Sequence, residues 1–485
     1  MKIIKHLVVF AMLGLSAIAA TAQTFTPLHD FTNTPDGASS WSSLALAGNT
    51  LFGTTSAGGL NGPGVVFALN TSDGGYTNLY SFGNAAADGL QPWGGLALAG
   101  NTLFGTTQYG GTNGNGEIFK IGTNGTGYVV LRSFAVGNED ASFNFTNSDG
   151  ANPYASLLLS GNMLFGTTQV GGTNGNGTVF KMNTNGTGFT VLRTFSIGNY
   201  DASFNFTNSN GANPAANLII SGNMLYGAAR HGGTNGSGTL FAMNTNGTGY
   251  TVIKTFSALD QSSFPGTNND GDRPIGGLVL SGNMLYGTTA DGGTNGNGTL
   301  FRVNTNGTGF TVLWSFSALD PTSNTNNDGA NPVAGLILSS NTLYGTAEAG
   351  GSNSYGTLFK IGTNGTGFAV LQSFDSSDAM PGASLIISSN TLYGTTSGGN
   401  AGGLGNVFSF SLTIRPYFNL LLMSNRVPQI GVTGGTGQSV QIQVATNLPA
   451  TWATLTNLVL TNGTGQFKDS AATNFPKRFY RALAQ

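Results

Sequence analysis

SLLLSGNMLFGTTQVGGTNGNGTVFKMNTNGTGFTVLRTF, residues 156–195, holds four short strand signals separated by turn signals. The opening SLLLS is apolar between its serines and reads as a strand buried on both faces. Gly161-Asn162 then turns the chain tightly into MLFGTTQ. A loop GGTNGNG leads to TVFKM, and Asn185-Gly186, a strong short-range hairpin signal, leads to FTVLRTF. The unit is therefore a four-stranded antiparallel meander.

The same unit recurs along the chain. Its Leu-aromatic-Gly core appears seven times, with the aromatic at Phe52, Phe104, Phe165, Tyr226, Tyr286, Tyr344 and Tyr393. The spacings are 52, 61, 61, 60, 58 and 49 residues, which suits a propeller blade with long loops better than a short solenoid coil. Each unit adds one Phe in its third strand, from Phe67 to Phe408, and one closing its fourth, from Phe31 to Phe374. Three aromatics at fixed offsets are read as packing between units, since repeat units must bury their faces on neighbours.

The ends of the array set its topology. Unit seven supplies three strands, while FTPLHDF at residues 25–31 stands alone before unit one and aligns without a gap on residues 189–195. Pairing this orphan with the last unit would close a ring and cover two sheet edges. Pro27 suits an outermost strand, where one amide faces solvent. The expected fold is an all-β, seven-bladed β-propeller with four-stranded blades, followed by a small C-terminal β domain. Its boundaries are a signal peptide at 1–22, the propeller at 23–412 and the C-terminal module at 413–485.

Composition agrees with a repeat array. The 485 residues include 77 Gly, only 7% are charged, and 39% are hydrophobic, enough for a core. A net charge of −2 supplies no basic stripe to neutralise phosphates, so nucleic acid is not an expected partner. Lys2 and Lys5, the apolar run at 7–19 and Ala20-Thr21-Ala22 read as a cleaved signal peptide. No later stretch reaches the length of apolar chain that a membrane helix needs. The expected location is secreted, periplasmic or at the cell surface. With no cysteine, disulfides and thiolate metal sites are ruled out.

Beyond residue 412 the repeat stops, and strand-like runs FNLLLMS, SVQIQVAT, TWATLTNLVL and RFYRALA follow. From residue 413 there are six Lys or Arg against Asp469 alone, while residues 23–412 carry nine against eighteen acids. The module could hold an acidic propeller to an anionic surface or polymer; an ordinary solvated face explains the same charges.

The units, above all LYGTTxxGGxNGxGTLFxxNTNGTGFTVLxSF, resemble the GloVer (Gloeo-Verruco) tandem repeat of bacterial exported proteins over residues 25–412. The resemblance implies a choice-of-anchor type of exported protein and no catalytic residues. The tail, with NLPATW, FKD and RFYRA, is similar to small C-terminal β modules of secreted proteins and lacks the membrane helix with a basic end of the commoner anchor.

Chemistry is sparse. His6 falls in the signal, His29 and His231 lie in different units, and glutamate is limited to Glu117, Glu139 and Glu348. Neither a histidine metal cluster nor a Ser/His/Asp triad is readable. Asp36, Asp88, Asp149, Asp270 and Asp328 each precede Gly in a loop between units, with Asn210 in the equivalent place, and are read as turn devices. Unit-to-unit loops and the loops between strands two and three should emerge on one face. Four consecutive unit-to-unit loops are long, at 135–154, 196–215, 257–275 and 317–333, and two are near copies.

A ligand site is therefore expected on the long-loop face, with Phe143, Phe145, Asp149, Phe204, Phe206, Asp270 and Asp328 as candidate contacts. Aromatic faces beside planar amides suit a polysaccharide or cell-surface glycopolymer. Oxygen donors at Asp140, Asn147, Asp149, Asp201, Asn208, Asp260 and Asp270 would suit Ca²⁺, the one cofactor these loops suggest. Two functions stay open: an exported, non-catalytic binding or scaffolding propeller, and a secreted polysaccharide-active enzyme using Asp residues on the long-loop face.

Overall fold

The computed structural model describes residues 24–139, 145–201, 205–262, 264–400, 402–412, 417–424, 427–434, 438–446, 451–461, 463–474 and 478–484. The expected signal peptide lies outside them. The chain divides into two compact units, Thr26–Ser409 and Phe410–Gln485, the latter grouped with the N-terminal residues up to Phe25.

The larger unit holds seven four-stranded antiparallel sheets among the described residues. Sheets one to six each take four strands in chain order, with the short ribbon strand Tyr109–Gly110 intervening in sheet two. Sheet three, for example, runs Leu158–Ser160, Met163–Thr168, Thr178–Asn183 and Thr190–Thr194. Sheet seven takes Ile386–Ser388, Thr391–Thr395 and Asn406–Ser411 and adds Phe25–Asp30 on its outer side. Three two-stranded ribbons lie in the loops, two of them in the near-copy segments: Asn138–Glu139 with Phe145–Thr146, and Asn199–Tyr200 with Phe206–Thr207.

The first strand of each sheet departs from expectation. It spans three residues, and Leu158, Leu159 and Ser160 are only half-buried. The deep burial belongs to the second and third strands instead: MLFGTT is buried at five of its six positions. Space there is tight, because a Cβ on Gly227 would come within 2.6 Å of the Phe241 ring, and one on Gly394 within 2.6 Å of Phe408. This is why the repeat keeps Gly after its aromatic.

In sheets one to six the fourth strand is offset by a bulge at the same place, between Val179 and Phe180 in sheet three and between Leu240 and Phe241 in sheet four. The closing aromatics Phe31, Phe82, Phe134, Phe195, Phe256, Phe316 and Phe374 are fully buried. They join consecutive sheets: Phe165, Val179 and Phe195 of sheet three pack with Leu218, Leu225 and Phe241 of sheet four. Phe31 and Val407 of sheet seven pack likewise with Leu44, Leu51 and Phe67 of sheet one.

A second contact repeats between neighbours. Two residues before the closing Phe stands a flat or cationic group that lies on the aromatic opening the next fourth strand. Tyr80 stacks on Tyr128 at 3.9 Å, Trp314 on Phe368 at 4.1 Å, and the Arg132 guanidinium sits 4.0 Å from the Phe189 ring centre.

The smaller unit contains two three-stranded sheets with a core of Ile430, Val432, Val440, Ile442, Leu460 and Phe467. Two of its strands, Val427–Thr433 and Thr464–Lys468, have no counterpart in the sequence reading. Asp469 is buried, ion-paired with Arg478, and accepts a hydrogen bond from the Tyr480 hydroxyl at 2.8 Å.

Candidate functional site

The turn aspartates point inward, away from the loop surface. Asp149, 2% exposed, accepts from Arg132 Nε at 3.1 Å and from the Ala135 amide at 2.9 Å. Asp270 takes Lys254 Nζ at 2.6 Å and the Ser257 amide at 3.0 Å, and Asp328 takes Trp314 Nε1 at 3.0 Å and the Ser317 amide at 3.1 Å. Each carboxylate ties the residue after the closing Phe to the side chain two before it. These three Asp are thereby engaged within their own units.

The amides proposed as metal ligands are saturated in the same way. Asn147 donates to the carbonyls of Ala135 and Gly150 at 3.0 and 2.8 Å, while its Oδ1 accepts from the amides of Gly150 and Gly172 at 2.7 and 2.9 Å. Asn208 repeats the clamp on Ser196, Gly211 and Gly233. Asp201 accepts from Asn205 through both its amide and its side chain, at 2.9 and 3.2 Å, and Asp260 caps the Ser262 amide at 2.9 Å. Among the described residues no group of three or more His, Cys, Asp or Glu could hold a metal ion. Asp140, Phe143 and Phe204 lie outside the described residues. The described donors thus do not converge as a Ca²⁺ site would require.

Phe145 and Phe206, in contrast, come together. They line a cavity of about 760 Å³ with Tyr200, Leu259 and Phe264, so three successive long loops share one wall. Phe206 packs edge-on to Tyr200 at 5.5 Å and covers Gly198, where a Cβ would come within 2.6 Å of its ring. His231, Asp272, Arg273 and Asp291 also line it. Arg273 is ion-paired with Asp291 and lies 3.9 Å from Asp272. Burial raises Asp272 to about 6, against hydrogen bonding from Ser237 and the pull of Arg273. Burial, with Arg230 and Arg273 nearby, lowers His231 to about 4, so it is neutral at pH 7.

A second cavity, of about 380 Å³, is walled by residues from all seven units, from the segments leading into their first strands and just after their second strands. The sequence reading missed it. Its rim is set by seven non-glycine residues with φ between 53° and 58°, one per unit: Ser39, Gln91, Asn152, Asn213, Arg273, Asn331 and Met380. Their left-handed backbone is held by two hydrogen bonds each. Asn213 N donates to Asn176 O at 2.9 Å, and its carbonyl accepts from Arg230 N at 3.2 Å.

Two residues further on, the rim position points into the cavity and varies from unit to unit. It is Trp41, Trp93 and Tyr154 in the first three units, then Ala215, Ile275, Val333 and Gly382. Trp41 and Trp93 lie 5.5 Å apart at 31°, and Trp93 and Tyr154 5.3 Å apart at 27°, forming a run of three rings that partly overlap. Arg230, Arg273 and Glu348 also line the cavity. Burial holds the Glu348 carboxyl above the usual carboxylate range, with Arg273 pulling the other way. Tyr154 is raised by burial, against Arg230 and with Glu348. The signal that would have found this site is the position where the repeat stops repeating.

Comparison with solved structures gives matches at low identity, with TM-scores below 0.5. An oligogalacturonate lyase in complex with manganese matches with a TM-score of 0.46 and 11% identity over 81% of this chain and 94% of its own. A puromycin-hydrolyzing peptidase from Mycobacterium tuberculosis matches with a TM-score of 0.47 and 10% identity over 83% of this chain and 62% of its own. Among curated proteins none matches the sequence. No helix among the described residues is long and apolar enough to cross a membrane. The repeat pattern itself matches over residues 15–143, 139–266 and 261–437, and the chain belongs to the Gloeobacter/Verrucomicrobia repeat family.

Proposed function

We propose that the chain is an exported, non-catalytic binding or scaffolding protein whose seven sheets are blades of a β-propeller closed by its N-terminal strand. Its long-loop face engages a carbohydrate or cell-surface glycopolymer. The observation carrying this reading is the 760 Å³ cavity in which Phe145, Tyr200, Phe206 and Phe264 from three successive loops meet. Long loops on a rigid scaffold are where binding residues concentrate, and apolar ring faces bordered by Asn and Gln match the C–H and hydroxyl faces of a sugar. The volume falls within the range of ordinary ligand sites.

The test is retention of the mature protein on a panel of insoluble polysaccharides, with and without chelator. The parent should be retained on at least one of them, and the double variant Phe145→Ala, Phe206→Ala should lose retention at an unchanged melting temperature. Chelator should leave retention intact. A parent protein that no polysaccharide retains would overturn the proposal.

A further inference from the structure

We infer that the axial cavity is a separate binding site for a single neutral pyranose unit, entered end-on by the terminus of a glycan chain. The reading rests on the carbohydrate proposal only for its ligand class. The site itself stands on the cavity, which shares Arg273 with the loop cavity but has its own aromatic wall and polar groups.

The geometry argues for a ring that stacks. Trp41, Trp93 and Tyr154 form an offset run of three rings along one arc of the cavity, and a pyranose lays its C–H face on the part of a ring face that its neighbour leaves open. The sheets themselves do not require these rings, because the same position is Ala215, Ile275, Val333 and Gly382 in the other units, whose sheets form equally well; Trp41 alone packs on that row, over Gly382. The space of about 380 Å³ bounded by these rings and the aliphatic side chains of the other arc has room for one sugar ring.

The polar groups argue for hydroxyls. Trp93 Nε1 and Arg230 Nε are both buried without a hydrogen-bond partner among the described residues, an arrangement that disfavours the empty site by roughly 1–3 kcal/mol per group. Both belong to residues that line the cavity, and a small rotation of either side chain would bring its N–H to a ligand oxygen. Arg273 is already paired with Asp291, which leaves Arg230 as the cavity's cationic donor and Glu348 as its anionic acceptor. One charge of each sign means that an anionic ligand would meet Glu348 unfavourably and a cationic one would meet Arg230. A neutral polyol can accept from the one and donate to the other.

The walls set the direction of entry. All seven units contribute lining residues, so the space is bounded on every side. An extended polymer running across the face cannot enter; its terminal unit can.

The experiment is a titration of intrinsic tryptophan fluorescence with methyl pyranosides of glucose, galactose, mannose and xylose, each beside the corresponding uronate where one exists. Trp41 and Trp93 are two of the four tryptophans, so a ring on the wall should change the spectrum saturably. At least one neutral pyranoside is expected to do so, and more tightly than its uronate. Arg230→Gln and Glu348→Gln should each weaken binding about tenfold or more, the effect of losing one charge-assisted hydrogen bond. Trp93→Phe keeps the stacking ring, removes the buried N–H, and should weaken binding without lowering the melting temperature. The Phe145→Ala, Phe206→Ala protein should titrate like the parent. A parent spectrum unmoved by every neutral pyranoside, a uronate preferred over its neutral partner, or Arg230→Gln binding like the parent would overturn the inference. Failure here with polysaccharide retention intact removes the axial site and leaves the loop site standing.

Discussion

Glu117 stands where four later units place Thr178, Thr239, Thr299 and Thr357. Those hydroxyls donate to a backbone carbonyl, as Thr178 does to Asp149 at 3.2 Å. A carboxylate cannot donate when ionised, and Glu117 instead accepts a short hydrogen bond from the Tyr128 hydroxyl, with its Oε2 left buried and unpartnered. Burial, and secondarily the charge of Asp88, raises its pKa to about 7, against the Tyr128 hydrogen bond. In the unfolded chain the same group titrates near 4.3. The folded state therefore holds the extra proton between these values. The stability this contributes is full below the unfolded pKa and lost as pH rises through about 7. Asp272 adds a slope of the same sign and His231 one of opposite sign, so total stability is a poor test and a difference between two proteins is a good one. Glu117→Gln keeps the acceptor for Tyr128 and removes the charge. It should melt higher than the parent at pH 8, by on the order of 1–3 kcal/mol, and level with it at pH 4. An equal difference at both pH values would show that the charge is not the cause.

Single strands and turns show how far the sequence could be read. The aromatic positions, the Asn-Gly hairpins and the Gly of the second strand were legible because each answers to a local rule repeated seven times. The first strand of each sheet was not, since SLLLS has the composition of a doubly buried strand and the structure leaves it half-exposed. The axial residues escaped because residue type was sought in motifs, whereas Trp93, Arg230 and Glu348 are informative as departures from their own repeat. In the tail, Val427–Thr433 carries Pro428 and Gly431, and Thr464–Lys468 has one large apolar residue, so neither showed an alternating pattern. The Asp-Gly turns were read as backbone devices, and the structure adds the side chain two before the closing Phe as their partner. One unit breaks that pairing. Asn210 replaces Asp, its Nδ2 is buried without a partner, and Arg193 Nε is likewise unpartnered although its guanidinium lies 4.2 Å from the centre of the Tyr250 ring. Asn210→Asp should restore the pair seen between Arg132 and Asp149 and keep the bond from the Ser196 amide. A gain of roughly 1–2 kcal/mol, seen as a higher melting temperature at pH 7 that disappears in Arg193→Met, is expected. A lower melting temperature in Asn210→Asp alone would count against the pairing.

At the scale of the molecule, the proposed ring would be held shut only where the two ends of the array meet, and the prediction concerns that seam. Phe25–Asp30 is hydrogen-bonded beside Asn406–Ser411, and the chain just after it is fixed further: Phe31 N donates to Gly405 O at 3.0 Å and Ser39 N to Leu404 O at 2.8 Å. Asn400 Nδ2 donates to Phe31 O at 3.1 Å, while Thr395 Oγ1 reaches Ser40 O at 3.1 Å. Phe31 itself, 1% exposed, is shared by sheets seven and one. Deleting residues 23–31 would expose the outer edge of sheet seven and empty the space that Phe31 fills. The emptied space alone should be worth about 3–5 kcal/mol, the range for removing a buried Phe, and the lost strand pairing adds to it. Phe31→Ala separates the two contributions, because it keeps the strand and removes only the ring. The deletion should lower the melting temperature more than Phe31→Ala does, and a synthetic peptide of residues 23–31 should raise it again in a concentration-dependent way, since binding to the folded state stabilises it by mass action. A deletion protein that melts with the parent would show that the seven sheets do not depend on this seam, and the closed ring would have to be given up.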